Sequence, residues 1–299
     1  MGVFQQPGSA MTLLSQVIQY AISGITSGSI YAVIGICWSV VYLITKVLNF
    51  TTGEFVMLGG MLTWGFHGAG IGLFPASLLA VASTIGIAMV MERIAIRSVR
   101  HPSPRTYMML TIALASVLKG GVLLKWGSET RKIDPIFSTT VLHLVGAAIT
   151  PQVICVIVFL VIVTAGLSWF FHFTLFGKAL RASAFNNTGA MLIGIDINKF
   201  RLFCFGLAGG LGAITGIITA PITFTGYEIG LLTGLKGLVV AIVGYWSIPG
   251  TVLAGLALGL LEGFCAGFLS PELKDVFALL VMILFLILTT YRVSFWRKA

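Results

Sequence analysis

The chain is a succession of long apolar runs separated by short polar loops, and that alternation constrains its fold more than any motif does. Charged residues make up 9% of it and apolar residues 58%, with a mean hydropathy of +1.04. A soluble domain carries about 25% charged residues, so lipid rather than water must solvate most of this surface. Runs near the roughly 20 apolar residues that cross a bilayer read as spans at about 18–43, 53–69, 72–95, 106–124, 150–171, 202–222, 232–248, 250–268 and 273–291. Backbone polar groups inside lipid must be satisfied within their own segment, so these runs predict helices. The expected fold class is all-α: a polytopic membrane helical bundle forming a single domain over 1–299, with about eight to ten spans. The second and seventh runs are short and glycine-interrupted, and read as broken or re-entrant.

The net charge of +9 does not point to nucleic acid, because the basic residues sit in short loops between apolar runs. Arg93, Arg97, Arg100 and Arg105 share one loop, Lys178, Arg181, Lys199 and Arg201 another, and Arg292, Arg297 and Lys298 end the chain. Nine spans put these groups and Lys46 on one side, which the positive-inside bias makes the cytoplasm. The N-terminus is then outside and the C-terminus inside. Residues 1–16 hold no Lys or Arg, unlike a secretory leader, so the first apolar run is expected to be retained. The four cysteines lie in apolar runs without a CxxC and read as small buried hydrophobes.

Glycines at helix-packing spacing, as in Gly206–Gly216 and Gly255–Gly259, predict close helix approach. Ser247-Ile-Pro-Gly250 reads as a helix break. Pro75 and Pro249 each lead into an apolar helix that carries a glutamate, Glu92 or Glu262, and the two helices run in opposite directions in this topology. That is a faint inverted repeat.

Ionisable groups inside spans are functional candidates by default. Asn49, Thr51, Thr52 and Glu54 mark the start of the second span, either as its cap or as pathway lining. Lys236 and Glu262 lie within the seventh and eighth spans; Glu262 shows no evident sequence partner. Glu92 and Arg93 read as a paired or snorkelling interfacial couple. In the loop 172–201, residues 177–193 suit short amphipathic helices. Ala179, Ala182, Ala184 and Ala190 would keep one surface small, and Gly194 would stop the last turn. A helix of that kind fits a groove on a soluble partner. The sequence has no ATP cradle of the G-x-x-x-x-G-K-[ST] type, no HExxH, no G-x-S-x-G and no catalytic cluster, so an enzyme is not expected.

Several segments resemble the permease subunits of branched-chain amino-acid ABC importers, the LivH-like family. They are Gly28-Ser-Ile-Tyr-Ala32, Val47-Leu-Asn-Phe-Thr-Thr-Gly-Glu-Phe-Val-Met-Leu-Gly59, Met91-Glu-Arg-Ile-Ala-Ile-Arg97, Phe176-Gly-Lys-Ala-Leu-Arg-Ala182 through Gly194-Ile195, and Gly234–Gly244 through Leu260-Leu-Glu262. Together they cover nearly the whole chain in family order. The resemblance implies a type II ABC importer permease, half of a small-solute pathway. Implied partners are a second permease chain (LivM-like or a copy of this one), two cytoplasmic ATPases and an external solute-binding protein. ATP would be used by the ATPases and no cofactor bound by this chain, which would sit among lipid in a bacterial inner membrane. The coupling loop would comprise Gly177, Lys178, Ala179, Leu180, Arg181, Ala182, Ala190, Gly194 and Ile195. Departures lie at Thr51-Thr52, where Ala-His is usual, at Arg97-Ser-Val-Arg100, and at Leu114–Lys119. The resemblance therefore leaves the substrate open among branched-chain amino acids and related amino acids or amides. A self-sufficient carrier or channel is the alternative reading, with Glu54 and Glu262 as ion sites.

Overall fold

A computed structural model describes residues 13–99, 103–135, 142–144, 147–192, 194–268, 276 and 280. Apart from residues 276 and 280, the ninth expected span, 273–291, lies outside the described residues, as do Arg100 and the C-terminal basic residues. Helices α1 (Leu13–Thr45), α2 (Thr51–Gly68), α3 (Leu73–Val90), α4 (Pro104–Trp126) and α5 (Pro151–Phe173) come first. Two short helices follow, α6 (Leu175–Phe185) and α7 (Asn187–Leu192). Then come α8 (Ile197–Thr223), α9 (Ile229–Val243) and α10 (Ile248–Phe268). A hairpin, β1 (Leu142–Leu144) and β2 (Ala147–Ile149), pairs antiparallel between α4 and α5. A π-helical turn, Met91–Ile96, extends α3.

Among the described residues six helical stretches are long and apolar enough to cross a membrane; α2 and α9, the two short runs, are not among them. Local sequence sets the starts. Pro104 and Pro151 open α4 and α5, where a missing N–H costs nothing. Ser103, Thr174 and Asp196 cap α4, α6 and α8 by accepting first-turn N–H groups. One boundary differs from expectation. The break between the seventh and eighth runs falls at Gly244–Ser247, where Tyr245 and Trp246 take positive φ, and Pro249 lies in the first turn of α10. Proline there initiates rather than interrupts.

α1 and α8 are the buried axes of the bundle, 83% and 72% buried over their apolar windows, whereas α4 is 17% buried and faces outward. Glycine sets the spacing. A Cβ on Gly28 would lie 2.7 Å from the carbonyl oxygen of Gly255 and 2.9 Å from the Cα of Leu256. Gly24 meets Gly259 in the same way, so α1 and α10 lie antiparallel in backbone contact. The packing repeats under exchange of α1–α3 for α8–α10. α1 lies along α10 as α8 lies along α3, α1 packs on α9 as α8 packs on α2, and α2 meets α9. That is the contact pattern of an inverted repeat.

α2 begins inside the bundle. Phe50 packs edge-on against Trp38, with ring centroids 5.5 Å apart, and every residue from Thr51 to Met61 is buried. Trp38 lies two turns before the end of α1, so α2 starts about 10 Å short of that end.

Candidate functional site

Among the described residues, the buried acidic side chains fall in three places. The first is the start of α2. The Asn49 carbonyl oxygen Oδ1 accepts from the Thr51 N–H (3.2 Å) and the Thr51 hydroxyl (2.6 Å), and the Thr52 hydroxyl donates to the Asn49 backbone carbonyl (2.8 Å). These bonds satisfy a helix end that water cannot reach. Glu54 is 2% exposed, and its Oε2 has no hydrogen-bond partner among the described residues. That oxygen occupies the space a Cβ on Gly230 would take, 2.5 Å away, so the first turns of α2 and α9 meet through Gly53, Glu54 and Gly230. Lys119, on α4, is the nearby cation acting on this carboxylate, and its ammonium also lies 5.0 Å from the Tyr227 ring centroid.

The second place joins α1, α9 and α10. Lys236 Nζ lies 2.9 Å from Glu262 Oε1. The Tyr31 hydroxyl donates to Glu262 Oε2 (2.8 Å) and accepts from Lys236 Nζ (3.0 Å). Lys236 and Glu262 side chains are 13% and 6% exposed. Glu262 therefore has a partner, contrary to the sequence reading. Trp38 Nε1 also donates to the Gly234 carbonyl (3.0 Å), two residues before Lys236. Two opposite charges on neighbouring spans were the available signal for this pair; Tyr31 and Trp38 gave none beyond being polar aromatics in an apolar helix.

The third place is the end of the bundle that carries the basic loops. Glu92, 1% exposed, pairs with Arg201 of α8 at 3.5 Å, not with Arg93 as its neighbour suggested. Adjacent residues on a helix point about 100° apart, so the partner comes from across the bundle.

α6 and α7 cover this end. Gly177, Leu180 and Ser183 form the buried face of α6; Phe176 packs edge-on against Phe200 and Phe203 and tilted against Phe170. A Cβ on Gly177 would strike the backbone of Phe170 and Phe171, which fixes how closely α6 lies on α5. Lys178, Arg181 and Ala182 face outward, with Phe185 96% and Leu192 84% exposed. The alanines do not share one surface: Ala190 on α7 is buried, whereas on α6 Ala179 is half-buried and Ala182 exposed. Gly194, at φ +84°, ends α7: its N–H donates to Met191 O and the Ile195 N–H to Ala190 O, both 3.0 Å. This is a Schellman stop that a β-carbon would strain. The residues expected to line a pathway and those expected to form a coupling loop are thus two separate sets in space, one inside the bundle and one on its end. No group of three or more His, Cys, Asp or Glu side chains able to hold a metal occurs among the described residues.

The family model described as branched-chain amino acid transport system / permease component matches residues 20–286. The high-affinity branched-chain amino acid transport system permease protein LivH of Salmonella typhimurium is 31% identical over 290 residues, 89% of this chain and 92% of the relative. LivH of Escherichia coli K12 is 30% identical with the same coverage, and BraD of Pseudomonas aeruginosa 28%. PsaBC from Streptococcus pneumoniae in complex with Fab aligns with 91% of the chain at 12% identity and a TM-score of 0.49. The helical bundle and the match across nearly its whole length place the chain in the family of branched-chain amino acid transport permease components, multi-pass membrane proteins of ABC transporters.

Proposed function

We propose that this chain forms one half of the membrane pathway of an ABC importer for branched-chain amino acids or closely related solutes. A second permease chain completes the pathway, an external binding protein delivers the solute, and two ATPases drive it. The observation that carries this reading is the α6–α7 face. A folded, capped pair of short helices presents Lys178, Arg181 and Ala182 beside the uncovered apolar side chains Phe185 and Leu192. Apolar side chains on a membrane protein's polar end have neither lipid nor core to cover them, and a soluble partner's groove supplies that cover.

Arg93 and Arg97 beyond the C-terminal end of α3, Arg105 and Arg201 near the starts of α4 and α8, and Lys178 and Arg181 on α6 lie at one end of the bundle, which is read as cytoplasmic, with the N-terminus outside. ATP binds and is hydrolysed on the partner chains, and closure of those chains pushes on α6. α6 rests on α5 and α1 through Gly177 and Leu180, so the push reaches a central helix directly. Gly53, Glu54, Lys236 and Glu262, at the crossing of α1, α2, α9 and α10, are the groups whose neighbours then change. The self-sufficient carrier loses its main support, because Glu262 is already paired within the chain.

The test is docking. Arg181→Glu or Ala182→Trp should leave the chain inserted and folded but remove the ATPases from the purified complex. Normal ATPase recovery with both variants would take this face out of the mechanism.

A further inference from the structure

A cavity of ≈ 220 Å³ opens at the basic end of the bundle, between the last turns of α1 and α5, α6 and the start of α10. Its walls are apolar: Val40 and Leu43 of α1, Phe171 of α5, and Trp246 and Ile248 at the start of α10. Such a space holds water poorly, because each water needs about two to four polar partners. An apolar group placed there makes the dispersion contacts that bare walls lack.

The mouth is of a different kind. Arg181 and His172 line the cavity and are exposed, whereas Val40 and Phe171 are buried, and no Asp or Glu lines it. Among the described residues Arg181 pairs with no carboxylate. His172 Nδ1 lies 2.8 Å from the Ser168 carbonyl oxygen. A carbonyl only accepts, so Nδ1 carries the hydrogen and Nε2 is the ring nitrogen left for a partner.

The cavity also lies at a particular depth. Trp169 and Phe173 are exposed on the same turns of α5 that supply Ser168, Phe171 and His172, and Tyr245 is exposed just before α10. α5 is 22% buried over its apolar window, so these rings meet lipid. Aromatic rings at the ends of lipid-facing helices mark the boundary between acyl chains and headgroups. An apolar slot at that boundary with an unpaired cation at its mouth complements an anionic lipid, chain inward and phosphate outward.

We propose that this cavity binds one anionic phospholipid of the adjoining leaflet. An acyl chain lies along Val40, Leu43, Phe171 and Trp246, and the phosphate accepts hydrogen bonds from Arg181 and from the protonated form of His172. A zwitterionic lipid brings the same chain but no net charge, so the mouth discriminates by headgroup. The seated lipid touches α1, α5, α6 and α10 at once and braces α6 against the bundle. The site stands independently of the importer reading, since its recognition chemistry lies wholly within this chain.

The experiment uses the full chain purified from native membranes with its co-purifying chains and exchanged into lipid-free mild detergent. It is titrated with dioleoylphosphatidylglycerol or dioleoylphosphatidylcholine, and bound lipid is counted by native mass spectrometry. One phosphatidylglycerol should bind about fivefold tighter than phosphatidylcholine, the contribution of one basic residue at a charged leaflet. Arg181→Gln, a change at an exposed position, should remove the preference and leave both lipids able to bind. Ser168→Phe, at a half-buried position of the lining, fills the slot and should remove the bound molecule of either lipid. Lys199→Gln, at an exposed position of α8 outside the lining, should change neither result. Equal affinity for the two lipids, an unchanged preference in Arg181→Gln, or full occupancy in Ser168→Phe overturns the proposal. A preference lost as fully in Lys199→Gln means diffuse attraction to the basic end and overturns the site. Displacement of the lipid by inorganic phosphate makes the mouth a phosphate site, and retention of neither lipid leaves the cavity to another chain; either overturns the lipid assignment.

Discussion

Removing one charge of the Lys236–Glu262 pair should cost far more than removing both. The pair is 2.9 Å apart, nearly unexposed, and bridged by a tyrosine hydroxyl that bonds to each member. Lys236→Met leaves the Glu262 carboxylate buried with only the Tyr31 hydroxyl; Glu262→Gln leaves an ammonium in the same position. Breaking a buried pair from one side costs about 3–5 kcal/mol, because the remaining charge is uncompensated. The double variant leaves no charge and keeps the volume, so its cost should stay within about 1.5 kcal/mol. The two substitutions should therefore couple by about 3 kcal/mol or more, with the double variant more stable than either single one. Tyr31→Phe removes one hydroxyl shared by both ions and should cost about 1.5–3 kcal/mol. The assay is reversible denaturation of the purified chain in mixed micelles, completed as a double-mutant cycle. Additive costs would refute the reasoning: the two side chains would then be held independently, by water or by neighbours not in contact with each other.

Arg201→Gln should destabilise the chain by about 3–5 kcal/mol by stranding Glu92, while Arg93→Gln should change stability by less than about 0.5 kcal/mol; thermal melting of both variants checks the pairing. Gly28→Leu should prevent α1 from seating on α10, because its β-carbon meets backbone atoms of Gly255 and Leu256 that cannot turn aside; protease resistance in membranes reads the loss. Glu54→Gln keeps the shape of a buried side chain and should lower uptake more than expression; unchanged uptake kinetics would make Glu54 a helix-start residue only.

Most of the bundle is legible in the sequence because lipid leaves helices as the economical way to satisfy the backbone. The run expected at 106–124 is flanked by Ser103-Pro104 and Gly127, and α4 extends it by two residues at each end to meet them. The end of α9, at Val243 rather than near 248, differs from the hydropathy reading for a physical reason. Gly244-Tyr-Trp-Ser247 is apolar enough to extend a hydropathy run, yet it turns through two positive-φ aromatics. Tyr42 stacks on Trp246 with ring centroids 3.9 Å apart, a contact between residues distant in sequence that no window sees.

The site divides the same way. The α6 segment is readable from its basic residues and the glycine that ends the following helix, both local signals. The partners of Glu92 and Glu262 are not. Arg93 stands next to Glu92 in sequence and points elsewhere, while Arg201 arrives from α8. Tyr31 reaches Glu262 only because Gly24, Gly28, Gly255 and Gly259 let α1 and α10 touch. The glycine spacing was visible in the sequence; its consequence for which polar groups meet required the fold.

The central claim is that this chain is the membrane half of an ATP-driven importer that docks its motors on α6 and α7. The most direct measurement is purification of the tagged chain from native membranes, with the co-purifying chains identified and counted by mass spectrometry. The account predicts a second permease chain and two ATPases, with the ATPases lost in Arg181→Glu. A chain recovered alone from mild detergent, and able to move solute when reconstituted without ATPases, would contradict it.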